Sequence, residues 1–380
     1  MHQQWLTAAI SKMEIAAARI QDNMPYLSFD GKYRYTNDDG NQGPLWSMGL
    51  VMETRENLGW WTNGFWGGIL WLLYDKTGKE IYRQYAEGLE RRLDEVLDGF
   101  VEVNHDAGFM WMHTSGANYR RTKSDAAKLR LLKSASHLAG RFNPAGSFIR
   151  AQNGDDRIGR TIIDCMMNLP LLYTASELTG DPRFANVAIA HADTMLRDNI
   201  REDGSVAQIM TYDPASGKKI GTIVGQGYSE DSSWGRGTGW AIYGYALSGK
   251  YTQDKKYIET AEKCADFFMA NLDANGMSRA DLLAPEDDPA CVMDSSAAAI
   301  AAGGMLLLHK LTGNQKRKDD ALKLLCALQN TCVAGDEEEA LLLHGNVGYH
   351  RPLAKDIPLI YGDFFYFEAL CMLDDSETMF

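Results

Sequence analysis

Two aspartates stand in surroundings that could give a carboxyl group catalytic properties. Asp106 precedes Gly108 in a short polar-to-apolar segment, and Asp164 lies at the start of an almost wholly apolar run, 163–175. An acid in that position is commonly a helix N-cap or a buried structural group. Apolar surroundings also raise the pKa of a carboxyl group, so that it keeps its proton and serves as a general acid. Asp106 is open to the same choice, a turn residue or a site carboxylate.

Other polar residues lie among aromatic rings and glycines. Arg236 stands between Trp234 and Trp240, where a guanidinium either packs against the rings or forms a fork for a substrate carboxylate. Trp61 belongs to a tryptophan cluster that suits a core or sugar stacking. Gln226 lies between glycines and could be a plain turn residue. The residues alone leave each of these alternatives open.

Several common chemistries have no support in the sequence. The glycine-rich segment 235–239 follows no β-strand pattern and contains an arginine, so it is a poor dinucleotide site. A Gly-x-Ser-x-Gly motif is absent, which argues against a serine hydrolase. His105 and His113 are eight residues apart, without the helical spacing of a zinc pair. We therefore expect neither a metal nor a cofactor.

The elements that position these residues are predicted to be helices. Apolar residues recur on one face in some segments, such as 80–98 and 254–272, and fill others almost completely, such as 295–308. The two kinds alternate, and the turns between them resemble one another, with Gly78, Gly180 and Gly313 as left-handed C-caps. The predicted helices are 3–22, 63–77, 80–98, 122–140, 161–179, 183–198, 235–250, 254–272, 292–312, 316–331 and 360–373. Repeated hairpins of this kind predict a closed, double-layered α/α barrel, although six hairpins need a twelfth helix.

Composition limits the class of protein. The 380 residues carry a formal net charge of −13 and are 45% apolar, which is typical of a globular chain and argues against a nucleic-acid binder. No apolar stretch is long enough to span a bilayer, and the N-terminus lacks a signal-peptide pattern. Six scattered cysteines suit reduced thiols. We expect a cytoplasmic protein with one domain over residues 1–380 and no membrane or nucleic-acid partner.

Six segments, taken in order, connect the chain to a known family. They are 61–68 (Trp-Thr-Asn-Gly-Phe-Trp-Gly-Gly), 105–109 (His-Asp-Ala-Gly-Phe), 163–173 with Ile-Asp-Cys and Asn-Leu-Pro-Leu-Leu-Tyr, 226–228 (Gln-Gly-Tyr), 233–240 (Ser-Trp-Gly-Arg-Gly-Thr-Gly-Trp) and 358–366 (Pro-Leu-Ile-Tyr-Gly-Asp-Phe-Phe-Tyr). Together they resemble the unsaturated glucuronyl hydrolases, glycoside hydrolase family 88. The resemblance implies an all-α fold, an (α/α)6 barrel of six hairpins.

The resemblance also implies a reaction. Members remove the 4,5-unsaturated uronic acid that polysaccharide lyases leave at the non-reducing end of glycosaminoglycan oligosaccharides, by hydrating the C4=C5 vinyl ether. Carried over by motif, Asp164 is the general acid/base and Asp106 a second catalytic carboxylate that binds ring hydroxyls. The implied substrate contacts are stacking from Trp61 and Trp240 and polar contacts from His105, Gln226 and Arg236.

Some positions depart from the family pattern. Gln208 stands where many members carry a histidine, and Gln152 where a tryptophan is expected. The segment before the last helix lacks the serines of members that prefer sulfated substrates, although Arg351 or Lys355 could receive a sulfate. We therefore expect the protein to tolerate sulfate and not to require it.

Two other functions remain open. Unsaturated rhamnogalacturonyl hydrolases are similar in barrel and chemistry but act on pectin fragments. Asp106 after His105 and the segment around Asp164 favour the glucuronyl family. A non-catalytic sugar-binding toroid or helical scaffold is a third hypothesis, against which the presence of both aspartates argues. The sequence does not indicate an oligomeric state.

Overall fold

The fold was obtained as a computed structural model, which describes residues 2–36, 58–100, 103–351 and 354–380. Twelve helices occur in these ranges. In chain order they are α1 (His2–Ile20), α2 (Phe65–Thr77), α3 (Glu80–Arg92, continued by Asp94–Gly99), α4 (107–122), α5 (Asp125–Gly140), α6 (Leu169–Thr179), α7 (Arg183–Asn199), α8 (Gly235–Thr252), α9 (Lys255–Ala270), α10 (Ser295–Thr312), α11 (Gln315–Thr331) and α12 (Ile360–Leu373).

The helices form two concentric layers. Even-numbered helices such as α8, α10 and α12 are buried nearly all round, whereas odd-numbered ones such as α7 and α9 keep an exposed polar face. Helix α12 packs against α10 on one side and α2 on the other, and α1 covers the junction. The ring is therefore closed, and the predicted all-α (α/α)6 barrel is confirmed.

The turns within the hairpins form as the sequence predicts. Gly78, Gly180 and Gly313 end α2, α6 and α10 in the left-handed conformation, with φ of 69°, 69° and 74°. Asn314 then caps α11 by accepting a hydrogen bond from the backbone N–H of Lys316. A glycine stop followed by a polar start thus reverses the chain within a few residues.

The twelfth helix, α4, occupies most of the gap between the predicted helices 80–98 and 122–140, where no helix was predicted. It consists of two α-helical parts, Ala107–Trp111 and Ala117–Thr122, joined by a π-helical turn, Met112–Gly116. Its first twelve residues are all buried, so it has no polar face to produce a periodic pattern. Glycines and β-branched residues also lower its helix propensity.

The helix predicted over 161–179 starts later than expected. Residues Arg160–Ile162 form a strand and Ile163–Met167 a 3-10 turn, and α6 begins at Leu169. The strand Arg160–Ile162 pairs with the strand Ile209–Tyr212. Pro170 in the first turn of α6 favours a helix that starts at this point. Asp164 therefore lies on a turn before the helix and not within it.

Short strands occur in the connections between helices. They are β1 (Pro25–Phe29), β2 (Lys32–Tyr35), β3 (Phe142–Asn143), β4 (Phe148–Ile149), β5 (Arg160–Ile162), β6 (Ile209–Tyr212), β7 (Lys219–Ile223), β8 (Gly345–Asn346) and β9 (Lys355–Ile357). Strands β5, β6 and β7 form one antiparallel sheet, and the others pair as β1–β2, β3–β4 and β8–β9. All of these strands lie in connections that lead from an outer helix to the next inner helix.

The interior of the ring is filled with aromatic side chains. Phe65 contacts Phe109, Phe364 and Phe365 at centroid distances of 5.4–5.7 Å. Beyond α12, residues 378–380 fold back and are buried. The ring of Phe380 lies 4.6 Å from His113, 5.6 Å from Tyr243 and 6.2 Å from Phe365, three residues on three different inner helices. The last residues of the chain thus fill part of the interior of the ring.

No helix in the described ranges is both long and apolar enough to cross a membrane.

Candidate active site

The predicted site residues lie at the N-terminal ends of the inner helices. Asp106 is the N-cap residue of α4, Asp164 lies on the turn before α6, and Arg236 is in the first turn of α8. Trp61 lies in the 3-10 turn before α2. Because inner helices of a closed ring run in the same direction, residues far apart in sequence meet at one end of the barrel.

Asp106 and Asp164 are joined through Asn168. The side-chain Oδ1 of Asn168 accepts from the backbone N–H of Phe109 at 2.7 Å, and its Nδ2 donates to the backbone carbonyl of Asp164 at 3.1 Å. Gly108 permits this approach, because a Cβ there would lie 2.4 Å from the Cα of Asn168. The start of α4 is thus held against the turn that carries Asp164.

Both carboxyl groups hold a proton more tightly than usual. Burial raises the pKa of Asp106 to about 8, helped by the charge of Asp164 and opposed by Arg141. Burial raises the pKa of Asp164 to about 7, opposed by the charge of Arg236. The buried Oδ1 of Asp164 has no hydrogen-bond partner among the described residues. An acid near neutral pH with an unpaired oxygen is suited to giving a proton to a bound molecule.

His105 lies next to Asp106 as a neutral imidazole. Burial, together with the charge of Arg141, lowers the pKa of His105 to about 3. Its Nε2 is 3.5 Å from Oδ1 of Asp106, and its Nδ1 has no partner in the described chain. The side chain therefore offers hydrogen-bonding capacity without a charge.

Arg236 is packed within the protein. Its guanidinium lies 4.3 Å from the Trp234 ring and 4.9 Å from the Tyr361 ring. Nη1 donates to Asp294 and to the carbonyl of Asn346, and Nη2 donates to the carbonyl of Val347 at 3.0 Å. Arg236 therefore packs against aromatic rings, which is one of the two roles that the sequence left open. Nε remains without a partner among the described residues, and contact with a substrate stays a prediction.

Gln226 belongs to a chain of hydrogen bonds. Its Nε2 donates to the carbonyl of Val347 at 2.9 Å, the same oxygen that Arg236 contacts. Its Oε1 accepts from Nε2 of Gln208 at 2.8 Å, and its backbone N–H donates to Oε1 of Gln208 at 2.6 Å. Gln226 is therefore no ordinary turn residue.

The two predicted stacking tryptophans differ in exposure. Trp61 is partly exposed, and its ring lies 4.9 Å from Tyr361 and 5.7 Å from Phe109. Trp240 is fully buried, 5.0 Å from Phe109 and 5.2 Å from Phe365. Trp61 thus lies above the aromatic interior, and Trp240 forms part of it.

The two predicted sulfate contacts, Arg351 and Lys355, differ in exposure, since Arg351 is exposed and Lys355 is partly buried. Arg351 lies between β8 and β9. Its positive charge is close enough to Tyr26 to oppose the rise that burial causes in the pKa of that phenol. Lys355 donates to the carbonyl of Ala290 at 2.8 Å and lies 5.0 Å from the Tyr349 ring. The other departure, Gln152, is partly exposed between β4 and β5.

Three residues of the site were not identified from the sequence. Asn168 links the aspartates, and the hydroxyl of Tyr361 and the side-chain amide of Asn346 are buried polar groups without partners among the described residues. Native proteins rarely leave such groups unpaired away from a ligand site. Asn168 and Tyr361 lie within the family-like segments, which was the available signal. No group of three or more His, Cys, Asp or Glu side chains in the described ranges could hold a metal ion.

A ring of helices that gathers two proton-bearing aspartates, partly exposed aromatic rings and unpaired polar groups at one end defines a carbohydrate-active enzyme of the α/α-barrel class. The sequence pattern of Glycosyl Hydrolase Family 88 matches residues 43–369. The chain belongs to this family and is a glycoside hydrolase.

The chain is similar to known proteins over nearly its whole length. The chain is 34% identical to an unsaturated glucuronyl hydrolase from Bacillus sp. (strain GL1), with 98% of both chains covered. It is 30% identical to an unsaturated chondroitin disaccharide hydrolase from Streptococcus pyogenes serotype M1, over 94% of this chain and 89% of the relative. The solved structure of the unsaturated glucuronyl hydrolase from Bacillus sp. GL1 superimposes with a TM-score of 0.89 at 32% identity, covering 98% and 97% of the two chains.

Proposed function

We propose that the protein removes the 4,5-unsaturated uronic acid from the non-reducing end of glycosaminoglycan oligosaccharides made by lyases. One arrangement carries the proposal: two largely buried aspartates lie together at one end of an α/α barrel, where Oδ1 of Asp164 has no partner among the described residues and burial raises the pKa of Asp164 to about 7. A vinyl ether needs such an acid, because its hydration begins with protonation of carbon.

The proposed steps use Asp164 twice. Its carboxyl group gives a proton to C4, and the C4=C5 electron pair forms the new C–H bond, leaving an oxocarbenium-like centre at C5. A water molecule then adds to C5 and returns a proton to the Asp164 carboxylate. In the resulting hemiketal the bond between C5 and the ring oxygen breaks, which gives a C5 ketone and a hemiacetal at C1. The hemiacetal then releases the remaining saccharide as an alcohol and leaves an aldehyde at C1. The acid is thus regenerated, and no metal or cofactor takes part.

The neighbouring side chains take supporting roles in this proposal. Asp106 accepts hydrogen bonds from ring hydroxyls, and neutral His105 adds a further polar contact. Gln226 and Arg236 lie toward the polar groups of the uronate, and Trp61 stacks on the sugar ring. The positive charge of Arg236 also opposes the rise of the Asp164 pKa, so that the group can lose its proton as well as hold it.

The names of the relatives favour glycosaminoglycan over pectin fragments, since one acts on glucuronyl and the other on chondroitin substrates by name. An unsaturated rhamnogalacturonyl hydrolase is the alternative. Six free cysteines are consistent with the cytoplasmic location that we also propose.

The test is the loss of ultraviolet absorbance of the conjugated uronate, with lyase-made disaccharides from hyaluronan, chondroitin, heparin and rhamnogalacturonan. Sulfated and unsulfated chondroitin disaccharides both decay if sulfate is tolerated. Asp164→Asn lowers the rate roughly 10²–10⁴-fold, because a positioned acid contributes about that much. Asp155→Asn, an exposed aspartate on a nearby connection, is the matched control and keeps the wild-type rate.

The possible results lead to different conclusions. Decay on the pectin fragment alone moves the protein to the alternative function. An unchanged rate in a folded Asp164→Asn protein refutes the assignment of the acid. Absence of decay on every substrate, together with tight binding of a disaccharide, supports the non-catalytic toroid.

A further inference from the structure

Gln208 lies between three parts of the site. It precedes strand β6, and its backbone carbonyl accepts from the N–H of Ile163, the residue before Asp164, at 3.0 Å. Its side chain makes two hydrogen bonds to Gln226, one to the backbone N–H and one to Oε1. The residue as a whole is 9% exposed. It thus connects the acid-bearing turn with the loop that precedes α8.

The hydrogen bonds fix the direction of both amide groups. Because the N–H of Gln226 can only donate, the atom of Gln208 that it meets must be the carbonyl oxygen. The Nε2 of Gln208 then faces Oε1 of Gln226, which leaves Nε2 of Gln226 to donate to the carbonyl of Val347. Reversal of either amide would place two acceptors or two donors against each other.

The orientation extends to the β8–β9 connection. The carbonyl of Val347 also accepts from Arg236, and the backbone N–H of Tyr349 donates to the carbonyl of Gln226 at 2.8 Å. Gly225 permits the contact at the other end, since a Cβ there would lie 2.3 Å from Oε1 of Gln208. The segment 345–349 is therefore held to the Gln226 loop through Gln208.

We infer that Gln208 is a positioning residue: it orients the amide of Gln226 and so holds the 345–349 segment and Arg236 in place for substrate binding. The inference rests on the proposed function, with Gln226 and Arg236 as the substrate-contacting groups. The amide of Gln208 is neutral and donates and accepts at the same time.

The test compares three variants in hydrogen–deuterium exchange and kinetics. Gln208→Met has a similar volume but removes both side-chain hydrogen bonds. Exchange in segments 224–228 and 345–351 rises at least about tenfold, since the bonds protecting Gln226 and Tyr349 weaken. With an unsaturated chondroitin disaccharide, KM rises roughly tenfold and kcat changes less than about threefold, as expected when binding is lost but the acid is intact.

Gln208→Glu separates the two bonds. Its carboxylate still accepts from the N–H of Gln226 but repels Oε1, so KM rises while the backbone of 224–228 keeps its protection. Thr211→Val is the matched control on the same sheet, where it removes the hydrogen bond to the carbonyl of Gly221 at 2.8 Å. It leaves exchange at 345–351 and KM unchanged.

The two hypotheses fail in different ways. Wild-type exchange and KM in Gln208→Met, or equal effects of Gln208→Met and Thr211→Val, overturn the positioning role. Wild-type protein that turns over no unsaturated uronate refutes the proposed function, while the exchange experiment still decides whether Gln208 holds the segment.

Discussion

Asp106 and Asp164 show how catalytic groups can lower the stability of the folded protein. A carboxyl group in water has a pKa near 4, whereas burial moves that of Asp106 to about 8 and that of Asp164 to about 7. Removing the proton from either group in the folded protein leaves a charge in poorly hydrated surroundings. The residues that make protonation of a substrate feasible therefore weaken the fold as pH rises.

This predicts a pH-dependent gain in stability for Asp106→Asn. Between pH 4 and 8 the folded state binds more protons at this site than the unfolded state, so the free energy of unfolding of the wild type falls as pH rises. Asparagine does not ionise and avoids that loss, which is at most about 1.4 kcal/mol for each pH unit within this window. Urea unfolding at pH 4.5 and pH 8 measures the effect, and the variant gains over the wild type only at the higher pH.

Asp155→Asn is the control, because Asp155 is exposed. Its free energy of unfolding differs from that of the wild type by the same amount at both pH values. A gain for Asp106→Asn that does not depend on pH would show that its origin lies elsewhere than in the buried charge.

At the scale of elements, regular periodicity was predictable and irregular structure was not. Helices with one apolar face, such as α9, were predicted within two residues at each end, because their packing follows from the pattern alone. Helix α4 was missed because it is buried on all sides and contains a π turn. The last two residues of the strand Arg160–Ile162 were predicted as helix because a short apolar run fits both structures.

The site was predictable by residue type but not by contact. Asp164 and Asp106 were candidates from their surroundings and received catalytic roles only from the family resemblance, whereas nothing in the sequence indicated the hydrogen bonds between Gln208 and Gln226. The role of Asn168 likewise depends on the approach of α4, an element that the sequence did not reveal.

The contact between α4 and α6 predicts the effect of Gly108→Ala. A methyl group would lie 2.4 Å from the Cα of Asn168, and backbone cannot yield as a flexible side chain does. The start of α4 must then move away from Asp164, and a displacement of about 1 Å at a catalytic group costs roughly 10²-fold in rate. The ultraviolet assay measures the loss. Gly140→Ala, where no atom lies within 4 Å of the added group, keeps full activity, and equal losses in both variants would contradict the argument.

At the scale of the whole molecule, the closed ring depends on its aromatic interior. Phe380 is 2% exposed and touches residues on three inner helices. Phe380→Ala therefore lowers the free energy of unfolding by about 3–5 kcal/mol, the range for truncation of a buried phenylalanine. Urea denaturation followed by circular dichroism measures the change.

Phe100→Ala is the matched control, because this phenylalanine is 67% exposed and its truncation costs less than about 0.5 kcal/mol. A small effect of Phe380→Ala would mean that residues 378–380 only cover the ring and do not support it.

The segment 378–380 also affects how a substrate reaches the site and how the products leave it. Because Phe380 and the aromatic residues around it fill the middle of the ring, we expect a substrate to approach the aspartates from the end where the inner helices begin. On the proposed chemistry, the terminal uronate then enters first and the rest of the saccharide lies farther out, so the saccharide departs first and the uronate last. A polymer chain cannot pass through a ring that is filled in this way. The enzyme therefore trims one sugar from a chain end and has no access to linkages in the interior.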